Sequence, residues 1–213
     1  MTTFNYSSVT FDDLKEVFDI KRLKSKDIFK DWFDKKYDLN KDENDFVERL
    51  VDMHFQHINN YSELELVGKV IAPILNKVNF MINDKHIRDW YEVALRYEDS
   101  EVCFNGRCDF VVAKGYDSPI NPYFFIQEFK QASASFPENQ LLAELITAIK
   151  INQTDTIKGA YIMGQIWAFV ILERVKKNSY NYYISKRYDS MDIDDLTKIY
   201  KILQNVKQEL IEL

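Results

Sequence analysis

Tyr123-Phe-Phe-Ile-Gln-Glu-Phe-Lys130 is the stretch on which the reading of this 213-residue chain turns. It is apolar on both faces until its last residues, the pattern of a central strand covered on both sides. Two ionisable residues then stand where more apolar ones are expected. Residues two apart on a strand share a face. Glu128 and Lys130 therefore project together, and Phe129 turns to the opposite side.

Upstream, Arg107-Cys-Asp-Phe-Val-Val-Ala113 reads as a neighbouring strand, with Asp109 near its start. Asn105-Gly106 reads as a two-residue type I′ turn that closes a hairpin into it. Such a turn sets Cys103 opposite Cys108, so a disulfide is geometrically allowed, although a reducing cytosol favours two free, buried thiols. Downstream, residues 137–152 carry a strong helix signal. Strand candidates follow at 159–164, 167–173 and 180–185, and residues 192–213 close the chain as a long amphipathic helix.

On the N-terminal side, Ser62 and Glu65 suit a capping box for a helix over 62–78, with Pro73 predicting a kink. Residues 1–60 read as three charged helices, from Thr10, over 26–36 and over 43–58. The expected fold is therefore α/β, a mixed central sheet flanked by helices. Its expected division is an N-terminal helical segment (1–60) packed on an α/β core with a C-terminal helix (61–213).

The bulk numbers bound the function. Hydrophobic residues make up 46% of the chain, and only 5 Gly and 4 Pro argue against long linkers. A net charge of −6 excludes a uniformly basic nucleic-acid coat but leaves room for a local groove. Four basic clusters are candidates for that groove: 21–26, 35–36, 174–177 and 186–187. The sequence leaves open which one serves. The longest apolar run, 166–172, is too short to cross a bilayer, and the first residues lack a signal-peptide pattern. The expectation is a cytoplasmic protein. His54 and His57 lie three apart with no third ligand, which favours a structural role.

Ionised groups beside a core are costly unless paired or metal-bound. Asp109 and Glu128, on neighbouring strands, suit a hard divalent ion such as Mg²⁺, and the Phe129 carbonyl can add a third ligand. A metal there lowers the pKa of a water and stabilises charge on a phosphate oxygen. Lys130 can orient that water or neutralise developing negative charge.

The ordered pieces Gly106-Arg-Cys-Asp109 and Phe125-Ile-Gln-Glu-Phe-Lys130, eighteen residues between Asp109 and Glu128, resemble the PD-(D/E)XK restriction endonuclease-like superfamily, in a bacterial-type form. Cys108 stands where the motif's name has Pro. The resemblance covers roughly residues 61–185. It implies a restriction endonuclease-like core and a carboxylate on the helix before the hairpin, where Glu63 matches and Glu65 competes. Glu63 is three and four residues before Leu66 and Val67 and so is expected on the inward stripe, whereas Glu65 aligns with Lys69 and Ala72 and points more outward. The resemblance also implies a polar residue on the helix after the Glu-x-Lys strand, where Gln140 matches. The implied activity is Mg²⁺-dependent hydrolysis of DNA phosphodiester bonds in restriction, repair or defence, with Mn²⁺ as a substitute ion and RNA as a further substrate. Asp109, Glu128, Phe129 and Glu63 would be the metal ligands. The rival expectation is a catalytically silent module of the same fold that binds nucleic acid or protein. A homodimer or a partner subunit fits either reading.

Overall fold

A computed structural model describes residues 1–131 and 137–213. The protein is α/β, with a nine-stranded mixed sheet between two layers of helices. In chain order the described elements are β1 (Thr2–Asn5), α1 (Phe11–Val17), β2 (Asp19–Leu23), α2 (Lys30–Phe33), α3 (Lys41–His54), α4 (Glu63–Leu66) and α5 (Ala72–Val78). Then come β3 (Ile87–Glu98), β4 (Val102–Gly115), β5 (Pro119–Lys130) and α6 (Glu138–Asn152). The chain finishes with β6 (Thr156–Met163), β7 (Ile166–Lys176), β8 (Ser179–Ile184), β9 (Tyr188–Asp189) and α7 (Ile193–Glu212).

The sheet order is β1-β4-β5-β6-β7-β8-β2, with β3 also on β4 and β9 on β7. β5 runs parallel to β6, and β2 parallel to β8. β6, β7 and β8 are joined antiparallel. The strands β5, β6, β8 and β2 therefore all point the same way and end at one edge of the sheet.

Each face of the sheet carries its own apolar layer. Phe125 and Phe129 pack with Trp32, Ile74, Ile199 and Leu203 from α2, α5 and α7. Ile126 packs on the other side with Leu141, Leu145 and Ile149 of α6. Alternate residues of β5 thus feed two cores, as its unbroken apolar run predicts.

Three expectations need correction. Residues 1–60 are not a separate helical segment, because β1 pairs with β4 and β2 pairs with β8 inside the main sheet. Both strands are five residues or fewer, too short to show a period, and their partners lie far along the chain. The second expected helix shrinks to α2, preceded by a 3₁₀ turn at Asp27–Phe29. The helix over 62–78 runs through a π turn at Val67–Ile71, and Pro73 sits in the first turn of α5 where its missing N–H costs nothing.

The hairpin also turns elsewhere. Asn105 and Gly106 lie inside β4, opposite Arg96 and Leu95. The reversal falls at 99–101, where Asp99 Oδ1 accepts from the N–H groups of Glu101 and Val102, an Asx-type turn. Cys103 and Cys108 therefore share one strand, and both are free and buried. Gly106 is required for close approach rather than for turning. A Cβ there would stand 2.5 Å from Cδ2 of Tyr6.

Gly106→Ala should therefore lower stability by roughly 1–3 kcal/mol, the usual cost of overpacking. Urea unfolding will check it, and placing the same change on a Tyr6→Ala background should recover part of the loss. Full additivity of the two changes would show that the contact is unimportant.

Candidate active site

β4 has two different neighbours on one side. β1 pairs with it over residues 102–105, and β5 pairs with it from Phe110 onward. Residues 106–109 have no strand partner on that side among the described residues. β5 ends opposite this gap, since its last paired residue is Gln127 and the strand runs on to Lys130. Asp109 fills the opening, and its Oδ2 accepts from the Phe129 N–H at 2.7 Å. A side chain thus takes a hydrogen bond that the strand ladder would otherwise supply.

Lys130 closes the group. Its Nζ donates to Glu128 Oε1 and stands 3.9 Å from Asp109 Oδ2. Glu128 is 0% exposed, so it is not half of a solvated strand-end pair. Its Oε2 has no hydrogen-bond partner. Phe129 faces the opposite core, as the strand period requires.

A third acid, absent from the expectations, stands against these three residues. Glu144 of α6 is fully buried, accepts from Gln140 Nε2 at 3.1 Å, and leaves its own Oε2 unpartnered. Gln140 therefore reaches the site through Glu144. The signal for Glu144 was present: α6 is apolar on nearly every face around it, so a carboxylate there has no route to water.

Glu63 and Glu65 separate clearly. Glu65 closes the capping box on Ser62 and pairs with Lys69 at 2.8 Å, which accounts for it structurally. Glu63 lines a cleft of about 270 Å³ with Asp109, Tyr91, Glu92 and Phe129. It is exposed and does not belong to the inward stripe expected of it. Glu63 is the first residue of α4, and the buried face starts one turn later at Leu66 and runs through Val70, Ile71, Ile74 and Leu75. His54 bonds the Tyr61 hydroxyl at 2.9 Å, the structural role expected of it.

Electrostatics follow from burial. Desolvation, then the charge of Asp109, push Glu128 up to about 8 despite Lys130. Asp109 is also raised, first by burial, with Glu92 and Glu63 adding to it against the Phe129 N–H and Lys130. Glu144 is held well above the ordinary carboxyl range by burial and by Glu128. Burial pulls Lys130 down, but Glu128 and Asp109 outweigh it and its pKa is raised. The site is an acid-rich, proton-hungry cluster with one amine.

The donor set suits a hard cation. Mg²⁺ takes one or two carboxylates and fills its remaining positions with water and substrate oxygens. Asp109, the orphaned oxygen of Glu128 and the Phe129 carbonyl meet that description. No group of three or more His, Cys, Asp or Glu side chains among the described residues forms a ready-made cage. No described helix is long and apolar enough to cross a membrane. The chain matches no protein-family model and no curated protein sequence.

Glu144 offers a pH test. A carboxyl raised on folding is protonated in both states at low pH, so it costs nothing below the ordinary value of 4.5. As pH rises above that value the unfolded chain ionises first, and stability is lost. Glu144→Gln imitates the protonated acid. Its melting temperature in metal-free buffer should match the wild type near the bottom of this window and exceed it at mildly alkaline pH. Equal melting temperatures at both ends would mean that Glu144 is not held neutral.

Proposed function

We propose that this protein is a divalent-metal-dependent phosphodiesterase acting on nucleic acid, with DNA as its preferred substrate and a site related to the PD-(D/E)XK type. One observation carries the reading. Asp109, Glu128 and Lys130, from two strands, converge at the gap beside residues 106–109 of β4, and the acid in the middle is buried with an unsatisfied oxygen.

Asp109 and Glu128 would hold Mg²⁺ or Mn²⁺ with the Phe129 carbonyl, and Glu63 faces the same cleft to hold a second ion or an ordered water. A bound cation there supplies Lewis-acid stabilisation of the phosphate and a more acidic water. The chain's own residues do the rest. Asp109 is oriented by the Phe129 N–H. Lys130, kept protonated by its two acidic neighbours, steadies negative charge on the phosphate oxygens in the transition state. Gln140 donates to Glu144, and the charge of Glu128 helps burial to hold Glu144 protonated.

The second reading, a silent module of the same fold, is favoured by one feature. Lys130 already occupies Glu128 Oε1, and no cage of three ligating side chains is present among the described residues. Calorimetry separates the two. The enzyme reading expects Mn²⁺ or Mg²⁺ to bind the wild type, with binding lost in Asp109→Ala.

Glu128→Ala should abolish Mg²⁺-dependent DNA cleavage. Lys130→Met should retain metal binding while cleavage falls by about 10²–10³, the usual cost of removing one transition-state stabiliser. Gel-based cleavage assays with and without EDTA will measure both. Undiminished cleavage by Glu128→Ala would remove the assignment.

A further inference from the structure

An acidic protein that handles nucleic acid needs a local place for phosphates, because affinity for the backbone comes chiefly from Lys and Arg. The fold gathers two of the four basic clusters at one place. Residues 21–26 hold four cations and no acid, and residues 184–187 hold two cations and no acid. β2 and β8 pair in parallel, with Arg22 opposite Tyr182 and Leu23 opposite Tyr183. The loops leaving both strands therefore emerge side by side.

They emerge at the edge where β5 ends in Lys130. β5, β6, β8 and β2 share one direction, and ligands of open α/β sheets bind at the carboxyl ends of such strands. Tyr161 of β6 bridges the interval. It lies opposite Glu128 in register, and the charges of Arg187 and Arg22 act on its hydroxyl. With strands about 4.8 Å apart, Tyr161 is the next step outward from Glu128 towards those two cations.

The cations farther out are of two kinds, paired and unpaired. Arg22 stands 3.9 Å from Glu138, Lys21 3.0 Å from Asp19 and Lys186 3.0 Å from Asp195. Lys24 and Lys26 are exposed and have no acidic partner among the described residues. Lys26 and Lys186 rim a depression of about 380 Å³ with the hydroxyls of Ser25 and Ser185, floored by Phe29 and Tyr188. Lysine amines and hydroxyls at one rim suit phosphate oxygens.

We propose that the Lys21–Lys26 segment and Lys186–Arg187 form a phosphate track that carries a nucleic-acid strand into the Asp109/Glu128/Lys130 site. Charge complementarity selects this partner, since the remainder of the chain is net acidic and the track is not. The inference rests on the phosphodiesterase reading above and names the surface by which that site would receive its substrate.

The test separates the two claims. Anisotropy of labelled single-stranded and duplex DNA, in EDTA and across a salt series, reads the track without any metal chemistry. Cleavage in Mg²⁺ at sub-saturating DNA reads the site. Lys24→Ala/Lys26→Ala changes only exposed, unpaired side chains, so its fold should be intact by circular dichroism. Its affinity should fall roughly tenfold at low salt, and the slope of log K against log salt should drop by about two, one for each lost phosphate contact. Binding that weakens in this way while the wild type cleaves nothing would uphold the track and remove the phosphodiesterase. An unchanged salt slope in the double variant, with wild-type cleavage intact, would overturn the track and keep the enzyme. Absence of DNA binding by the wild type, or equal displacement of DNA by poly-glutamate at matched charge, would also overturn it and assign the patch to an acidic protein.

Discussion

Glu128 has no access to water, and one of its oxygens leans on a single amine. Removing a carboxylate from water without full compensation costs several kcal/mol in real proteins. Lys130 offsets part of that cost, and so does the upward shift that lets Glu128 take a proton. Much of the surrounding architecture follows from holding this group. Phe129 must face the opposite core so that its neighbours can meet, and β5 must be covered on both sides. Asp109 must tie the diverging strands together through the Phe129 N–H.

The same constraint explains the gap in the sheet. Had β1 and β5 met end to end along β4, backbone pairing would have filled the space beside residues 106–109. The interruption leaves room for side chains and small ligands, and a side-chain carboxylate satisfies the backbone there. β1 is held to its own half by Tyr6, whose ring presses on Gly106 and whose hydroxyl donates to Thr147 Oγ1 of α6. The segment that follows β1 is thus a wall of the candidate site. Residues 6–10 form one side of the groove of about 290 Å³ that Lys130 and Gln140 border on the other.

Much of this was legible from residue types alone. The apolar run before Glu128 declared a doubly covered strand, and period-two spacing placed Glu128 with Lys130 and Phe129 apart. The helix class of 138–152 and 193–212 followed from its apolar spacing. What escaped was non-local. β1 and β2 are four and five residues long, and they are strands only because β4 and β8 present free edges to them. Asn105-Gly106 carries the usual hairpin signature, yet Tyr6, a hundred residues away, uses that glycine as a contact surface. The true turn relies on Asp99, a weaker local signal. Glu63 was misplaced because it is the first residue of α4, ahead of the packed turns, so the spacing that buries Leu66, Val70 and Ile74 does not bury it.

Glu144 is the instructive case, because burial rather than motif marks it out. A glutamate in a helix that is apolar on nearly every face can only be tolerated neutral, paired or ligated. Here its one donor is Gln140, and its nearest charged neighbours include a second buried glutamate. Two acids that discourage each other's ionisation in a dry pocket hold a proton between them until positive charge arrives. Lys130 supplies one such charge permanently, and it is already committed to Glu128. A divalent cation arriving with a phosphate would supply more. The cluster is therefore costly in the free protein, and cation binding would relieve it, coupling stability to ligand in a direction a purely structural ion pair would not show.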